Sequence, residues 1–453
     1  MKSFITIVLT FFPTLFSTVA TAALPVGKTA KLSLKSRSAT RNTRRSLNGS
    51  TSNVALSDWF QGTDLQVILA SSSHVQAKTM HSGTVIFQSE RLSRTCRLRK
   101  IQNHFVRRLI IPSTVVFDTG STELLLPTTL CTLPGCTSHK LFDPSKSTTF
   151  RNLSHAWHGS FETGSGVDPT TTWFTSGFLG SDAVSVGGLS VSDQFTFFIT
   201  NQSSDWAQDP FDGILGMGFE PTAEPSTGST PFFQHLINNG ELAEATYGFY
   251  LSPINVGHAE LTLGGVDPSR MSGPLCPIPT MNKNISQETG SWVANLTDIV
   301  VNGQKGHFLG QAAVLDTGTA NIVAPTNEAA TAFYKLVSPK IQLVNTAGIY
   351  AVPCKEIKDI RAEIKFDFSG VQMKVPSSQL SVGPVPAGEA ILGSYAGRDD
   401  LCQTVVNGGG IGTQSGPAFD ELWIIGATAL KFYYTAWDYA NVVVSVATTV
   451  QSM

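Results

Sequence analysis

Short segments rich in Val, Ile, Thr and Phe recur along the chain, and turn-forming residues separate them. This pattern predicts strands, and the clearest examples are 184–188, 194–200, 259–265 and 299–303. Helical periodicity is sparse and is clearest over 230–239 and 327–337, where polar residues open an apolar-periodic stretch. The pattern therefore predicts a mainly β protein with a few short helices.

The start of the chain has a different hydrophobic pattern. Lys2 precedes an apolar run over 4–16, and the small residues Ala20 and Ala22 follow it. This is typical of a secretory signal peptide over 1–22, because the run is too short to cross a bilayer and no later stretch reaches about 18 uncharged apolar residues. We expect a secreted, extracellular protein with no membrane association once the signal is removed.

Composition favours a folded, acidic body. The 453 residues include 14% charged side chains with 40 Gly and 23 Pro, which describes a turn-rich globular protein. The first 117 residues hold 16 Lys and Arg against 3 Asp and Glu, whereas the remainder holds 15 against 30. A body with a net charge of −15 repels phosphate backbones, so we expect no nucleic-acid partner.

A basic segment follows the signal peptide. Residues 23–45 contain seven Lys or Arg and no acidic residue, and they end at the dibasic pair Arg44-Arg45. Such a block is most often simply solvated, but here it precedes an acidic body that it can bind by charge. We interpret 23–75, with its end left open, as a pro-segment that binds the body mainly by charge and inhibits it.

Glycosylation sequons agree with a secretory route. Five Asn-x-Ser/Thr triplets are present, although any one of them could arise by chance. They begin at Asn48, Asn152, Asn201, Asn284 and Asn295. The last four lie in the body and are the predicted glycosylation sites.

One sequence element occurs twice. Three apolar residues, Asp-Thr-Gly and a hydroxyl residue stand at 115–121 and again 198 residues later at 313–319. An apolar pair closed by Gly follows each, at 214–216 and 424–426. A single Asp-Thr-Gly would be an ordinary turn, but two with matching flanks indicate two halves of similar layout. The polar and glycine positions are Asp118, Thr119, Gly120, Ser121, Asp316, Thr317, Gly318 and Thr319.

These turns predict a site with two carboxyl groups. If a buried strand ends at each Asp and Gly allows a tight turn, Asp118 and Asp316 can face each other across an interface. Two carboxyls in one small site hold a single proton between them, so one can activate a water while the other donates to a carbonyl oxygen. The neighbouring hydroxyls can hold both groups in orientation.

With these motifs the chain resembles the pepsin-like aspartic proteases of the secreted, fungal type, from about Val115 to the C-terminus. The resemblance implies a two-lobed β fold with a central cleft, an N-terminal lobe over 76–252 and a C-terminal lobe over 253–453. It implies that Asp118 and Asp316 are the catalytic pair and that an extended peptide or protein substrate lies in the cleft. The cysteines that resemble family disulfides are Cys131 with Cys136 and Cys354 with Cys402. Cys96 and Cys276 either pair with each other or stay free.

The flap of the family aligns with 160–165, where this sequence departs from the usual pattern. The resemblance implies that Phe161, Thr163, Gly164 and Ile214 bind substrate. Family members usually have Tyr at Phe161, hydrogen-bonded to a Trp that would fall at Leu125. Because replacing both partners with apolar groups can be nearly neutral, we expect an altered flap in a working enzyme, with hydrophobic residues favoured on either side of the cut. The competing interpretation is an ordinary surface turn.

The segment before the first motif departs further. Residues 90–112 contain seven Lys or Arg and Cys96, which is poor strand sequence. Either the protein has its own basic insertion, or the sequence comes from an imperfect gene model in which, for instance, an intron is read through. We favour the second explanation, which makes 76–113 the doubtful part of the N-terminal lobe.

The sequence therefore predicts a monomeric aspartic endopeptidase that works on the acid side and uses no cofactor or metal. The nine His show no H-x-x-x-H or Cys/His ligand spacing. One alternative is a catalytically impaired, protease-like module that binds peptides or proteins. Another is a glycosidase, which also needs two carboxylates but does not need symmetric Asp-Thr-Gly turns. Assays on peptides and on polysaccharides would separate these functions.

Overall fold

A computed structural model gives the fold of residues 27–40, 55–62, 113–161, 173–220, 230–251, 259–279, 286–287, 289–308, 312–346, 348–385, 390–409 and 422–450. Several sequence predictions lie outside these described residues. They are the signal peptide, the 90–112 segment with Cys96, the sequons at Asn48 and Asn284, and the flap residues Thr163 and Gly164.

The described residues are mainly β, as predicted. The first ten strands are β1 (Ala30–Thr40), β2 (Ala55–Gly62), β3 (Val115–Asp118), β4 (Leu124–Pro127), β5 (Arg151–Phe161), β6 (Trp173–Val186), β7 (Leu189–Gln202), β8 (Gly213–Gly216), β9 (Thr246–Tyr250) and β10 (Ala259–Leu263). The next eight are β11 (Cys276–Ile278), β12 (Val293–Asn295), β13 (Asp298–Val301), β14 (Gln304–Lys305), β15 (Ala312–Leu315), β16 (Ile322–Val323), β17 (Gln342–Leu343) and β18 (Tyr350–Pro353). The last eight are β19 (Ile364–Phe368), β20 (Val371–Val375), β21 (Ser381–Pro384), β22 (Leu401–Thr404), β23 (Val406–Asn407), β24 (Leu422–Ile425), β25 (Tyr433–Asp438) and β26 (Val443–Thr448).

Five short α-helices connect these strands within the described ranges. They are α1 (Pro134–Thr137), α2 (Phe232–Asn238), α3 (Asn327–Val337), α4 (Cys354–Ile357) and α5 (Ala427–Leu430). The helix predicted over 327–337 has those bounds because the Thr326 side chain accepts a hydrogen bond from the Ala329 amide and caps its first turn. Its buried face includes Phe333 and Val337, which packs the helix on the main core.

The repeat seen in the sequence is a repeat of topology. In the first half, β3 is parallel to β8, β8 is antiparallel to β4, and β4 is parallel to β7. In the second half, β15 is parallel to β24, β24 is antiparallel to β16, and β16 is parallel to β23. Each half therefore builds the same four-strand motif, and the strand that opens the motif leads to one of the two Asp-Thr-Gly turns.

Half of the remaining strands belong to one large sheet, together with the first motif. Its order is β11-β26-β25-β9-β10-β1-β2-β3-β8-β4-β7-β6-β5, and the β12-β15-β24-β16-β23 sheet carries the second motif. Two four-stranded sheets, β14-β13-β19-β20 and β17-β18-β22-β21, complete the C-terminal half. Strands from both predicted lobes, β25 and β26 among them, thus share the large sheet with the first motif.

The predicted pro-segment contributes a strand to the interior of that sheet. β1 pairs with β10, with Leu34 opposite Ala259, and it also pairs with β2. Leu32 and Leu34 are buried in the main core, at 6% and 3% exposure. Lys31 forms an ion pair with Asp267 at 2.5 Å. The expectation that this segment binds mainly by charge is therefore incomplete, because a hydrogen-bonded ladder and two buried leucines also hold it.

Both disulfides that the family resemblance implied are present. Cys131 is bonded to Cys136 across α1, and Cys354 at the start of α4 is bonded to Cys402 in β22. Cys276 is free and exposed in β11. In the parts of the chain that the structure describes, no helix is both long enough and apolar enough to span a membrane.

Candidate active site

The two aspartates stand at the ends of buried strands. Val115, Val116 and Phe117 lead to Asp118 with exposures of 0–3%, and β15 leads in the same way to Asp316. The carboxyl-bearing residues themselves are 8% and 7% exposed. Each strand therefore delivers an acidic side chain into a site that is nearly closed to solvent.

Each aspartate is fixed by the turn that follows it. The amide two residues further on donates to Oδ1, and the hydroxyl three residues further on donates to Oδ2. The donors to Asp118 are Gly120 N at 2.8 Å and Ser121 Oγ at 2.5 Å. The donors to Asp316 are Gly318 N at 2.7 Å and Thr319 Oγ1 at 2.5 Å. Both oxygens of both carboxyls are thus held, which fixes the plane of each group.

The two threonines of the repeat tie the turns to each other. Thr119 Oγ1 donates to the Leu315 carbonyl at 2.9 Å, and Thr317 Oγ1 donates to the Phe117 carbonyl at 2.6 Å. The same hydroxyls accept from the opposite backbone, because Thr119 N donates to Thr317 Oγ1 and Thr317 N to Thr119 Oγ1. This buried set of bonds sets the distance between the carboxyls without using either carboxyl as a partner.

The glycines allow the two turns to approach. A Cβ on Gly120 would lie 2.6 Å from Cγ of Asp316, and a Cβ on Gly318 would lie 2.2 Å from Oδ1 of Asp118. Both distances are far below van der Waals contact. Any side chain at either position would therefore displace the opposite carboxyl group.

The electrostatics of the site favour a proton on Asp118. Burial raises the pKa of Asp118 well above its usual range, and the charge of Asp316 and a hydrogen bond to its carboxyl raise it further. The bonds from Ser121 and Gly120 act in the opposite direction but do not cancel this rise. Asp118 therefore keeps a proton to a higher pH than an ordinary aspartate does. One carboxyl can accept a proton while its neighbour donates one.

A buried layer beneath Asp118 was missed by the sequence analysis. Met217 N donates to the Asp118 carbonyl at 2.7 Å. The Met217 carbonyl in turn accepts hydrogen bonds from Tyr247 Oη at 2.7 Å and from Trp292 Nε1 at 3.2 Å. No motif marks Tyr247 or Trp292, because their partner is a backbone atom and lies 30 and 75 residues away.

The flap position is filled differently from the sequence expectation. Phe161 ends β5, and its ring meets Trp206 edge-on, with centroids 5.4 Å apart and an interplanar angle of 88°. Trp206 lies in the 3₁₀ turn Ser204–Gln208 and packs in one apolar cluster with Leu125 and Ile214. An indole therefore does lie against Phe161, the predicted flap position, but it comes from residue 206 rather than 125. Only the packed structure could reveal this pair.

The described residues hold no group of three or more His, Cys, Asp or Glu side chains that could bind a metal ion. Two carboxyls, each held by hydrogen bonds from its own turn, lie at the meeting point of two equivalent turns.

Comparison with known proteins gives a consistent result. The family model described as eukaryotic aspartyl protease matches residues 112–449. Pepsin A of Rhinolophus ferrumequinum, of Suncus murinus and of Sus scrofa are each 32% identical to the chain over 330 residues. Each alignment covers 72% of this chain and 75% of the relative. The family match begins at the end of the basic 90–112 segment, so the atypical lead-in lies outside it.

Proposed function

We propose, from the premise that this chain belongs to the eukaryotic aspartyl protease family and is an aspartic-type endopeptidase, that Asp118 and Asp316 together activate the water that cleaves the peptide bond. The single observation that carries this proposal is the pair of buried carboxyls on facing turns, each held at both oxygens by hydrogen bonds from its own turn. Groups so fixed need no rearrangement when charge develops on the substrate.

The reaction follows from one proton on the pair. The ionised carboxyl accepts a proton from water as the water oxygen attacks the carbonyl carbon, and the protonated carboxyl donates to the carbonyl oxygen. A tetrahedral diol results. Its collapse breaks the C–N bond as a proton passes to the leaving nitrogen, and the pair returns to its singly protonated state. The pair is inactive when both carboxyls are ionised and also when both are protonated. Activity should therefore be bell-shaped in pH with its maximum on the acid side.

The test replaces each carboxyl by an amide of nearly the same shape. Asp118→Asn and Asp316→Asn should each lower kcat/KM for a peptide by at least about 10²- to 10⁴-fold, because loss of an essential acid or base group has that effect. Asp399→Asn changes an exposed aspartate and is the matched control. If Asp118→Asn or Asp316→Asn keeps activity within about tenfold of the parent, the proposed catalytic role of that aspartate is wrong.

The alternative of a module that binds peptides without cutting them is not favoured. Such a module would not need both carboxyls, both glycines and both hydroxyl donors in working geometry. All of these groups are present around Asp118 and Asp316.

Secretion and a removable leader complete the proposal. The signal-like 1–22 segment supports the secretory route, as do the two disulfides. The leader is proposed to inhibit the precursor and to leave on acidification, which is supported by its basic composition facing an acidic body. Mass analysis of the precursor across a range of pH tests this step.

Substrate preference is proposed to be hydrophobic on either side of the cut. Phe161, Trp206 and Ile214 belong to one apolar cluster near the flap, so that cluster offers packing rather than hydrogen bonds. A library of peptides that vary only at the two residues flanking the cut measures the preference directly. Equal rates for charged and apolar residues at those positions would contradict it.

A further inference from the structure

Three of the predicted glycosylation sites lie among the described residues, and the structure separates them by accessibility. Asn152, Leu153 and Ser154 are all exposed in β5. Asn201 in β7 and Asn295 in β12 are half-buried. Sequence alone treats the three sequons as equal, whereas a glycan on the folded protein requires that the amide nitrogen reach solvent.

The sequon at Asn152 also has a favourable local geometry. Asn152 Oδ1 accepts a hydrogen bond from Ser154 N at 2.7 Å, which is an Asx turn. Ser154 has φ +60°, and the pairing of β5 with β6 is irregular between Asn152 and His155. The bulge thus lifts this sequon out of the regular ladder. No described residue hydrogen-bonds the Asn152 amide nitrogen.

The sequon at Asn201 has the opposite character. Asn201 Oδ1 is buried and lacks a hydrogen-bond partner among the described residues, and the same holds for Ser203 Oγ at the third sequon position. The Ser203 amide donates to the Phe174 carbonyl, and the Ser203 carbonyl lies against Gly135. The side-chain oxygens of this sequon therefore lie inside the packed structure, whereas Asn152 and Ser154 are exposed.

At Asn295 the polar groups are engaged within the C-terminal half. Its Nδ2 donates to Ser369 Oγ at 3.1 Å, and Thr297 Oγ1 donates to the Asp367 carbonyl at 2.9 Å. Of the three sequons, those at Asn152 and Asn201 therefore differ most in accessibility. Comparing glycan occupancy at these two sites tests whether accessibility decides glycosylation.

β5 has a second property that bears on a glycan. It is the last strand of the large sheet, and among the described residues it pairs only with β6. All side chains from Arg151 to Ala156 are exposed, and Leu153 is 36% exposed. A free strand edge of this kind is a template for pairing with another chain.

We propose that Asn152 carries an N-linked oligosaccharide that covers the free edge of β5, and that Asn201 is not glycosylated. In the transfer, the Asn152 amide nitrogen attacks C1 of an oligosaccharide carried on a lipid pyrophosphate in the secretory pathway. The C1–N bond forms, the C1–O bond to pyrophosphate breaks, the amide loses one proton, and the lipid pyrophosphate leaves. This inference rests on the secretory route proposed above.

The sequon lies at the opposite end of β5 from Phe161, the predicted flap residue. Nine residues separate Asn152 from Phe161 along β5, which is roughly 30 Å at the rise of a strand. The oligosaccharide should therefore alter association of the protein without altering peptide hydrolysis.

The experiment expresses the full chain in a eukaryotic secretory host behind the host's own signal peptide. Peptide-N-glycosidase converts an occupied Asn to Asp, so peptide mapping of the wild-type protein reports occupancy at each sequon. Asn152→Gln should lower the mass by one glycan, and the matched Asn201→Gln should leave the mass unchanged. An unmodified Asn152, or a glycan on Asn201, overturns the assignment.

The proposal that the oligosaccharide covers the free edge of β5 is tested on folded wild-type protein. Enzymatic deglycosylation should raise the self-associated fraction in light scattering several-fold at equal concentration, while kcat/KM stays within about twofold. If the deglycosylated protein associates no more than the untreated protein, the glycan does not protect the edge of β5. Absence of peptide hydrolysis in both forms would instead count against the proposed function, because glycan mass and association are measured independently of activity.

Discussion

Gly120 and Gly318 determine how closely the two aspartates can approach. Each glycine faces the opposite carboxyl across the interface of the two motifs, so neither position has room for one more carbon atom. The requirement is not a special backbone angle, since neither residue has a positive φ. It is a requirement of space, and it makes these positions sensitive to the smallest possible substitution.

Gly318→Ala should lower kcat/KM by about 10²-fold or more, because its Cβ would displace the Asp118 carboxyl and errors of about 1 Å in a reacting group have effects of that size. Peptide hydrolysis at the pH optimum measures it. Gly273→Ala is the control, since its Cβ would meet only the Thr448 hydroxyl at 3.2 Å. The Gly273→Ala control should retain full activity. If Gly318→Ala retains it as well, the close approach of the two turns is not essential for hydrolysis.

The raised pKa of Asp118 has a consequence for stability. A carboxyl whose pKa is higher in the folded than in the unfolded state stabilises the fold fully below the unfolded value near 4, and loses that contribution as pH rises through the folded pKa. The ionised Asp118 carboxyl therefore destabilises the folded protein at neutral pH. Function and stability oppose each other at this residue.

Asp118→Asn should consequently melt at a higher temperature than the parent at pH 7, and the difference should shrink towards zero below about pH 4. Thermal melts across pH 3 to 8 on the two proteins measure it. The amide removes the titration but keeps the shape. A difference in Tm that is the same at every pH would show that burial of the charge is not its cause.

At the scale of elements, the sequence was most informative where function repeats a motif. The turns at Asp118 and Asp316 and helix α3 were predicted from local pattern, because turn chemistry and apolar periodicity are properties of neighbouring residues. The contact of Phe161 with Trp206 was not predictable in this way. It joins a strand to a 3₁₀ turn 45 residues away, and it exists only because both pack on one apolar cluster.

Trp206 should influence catalysis through the flap. In a double-mutant cycle on kcat/KM, Phe161→Leu and Trp206→Leu should show a coupling of about 0.5–1.5 kcal/mol, as edge-on aromatic pairs do. The matched control pairs Phe161→Leu with Phe178→Leu, whose ring packs against Phe150 and Phe198 instead. Additive effects in the first cycle would show that Trp206 does not support the flap.

At the scale of the whole molecule, two different forces hold β1, the strand of the proposed leader. Burial acts to raise the pKa of Asp267, but hydrogen bonds from Lys31 and Ser269 outweigh it and hold this pKa well below its usual range. The ion pair therefore persists in mild acid and is lost only as pH falls through that lowered value. Lys31 is half exposed, so the pair contributes at most about 1 kcal/mol. Burial of Leu34 contributes more.

Leu34→Ala should weaken the leader by about 2–5 kcal/mol at every pH, whereas Lys31→Ala should weaken it by at most about 1 kcal/mol throughout pH 2 to 7, because Asp267 stays ionised over that range. Mass analysis of the precursor over time at pH 2 to 7 follows release. Lys28→Ala removes a more exposed ion pair with Glu241 and serves as the control. Release that responds equally to Lys31→Ala and Lys28→Ala would contradict the role of Asp267.

The interior position of β1 also sets an order of events during synthesis. Its partner β2 follows within the next few tens of residues, but Ala259, which pairs with Leu34, is made 225 residues later. At about 5–20 residues per second, roughly ten to forty-five seconds pass before that partner exists. Throughout this interval one side of the leader strand has no β10 to pair with, so the first part of the chain to be made waits for a partner near its middle.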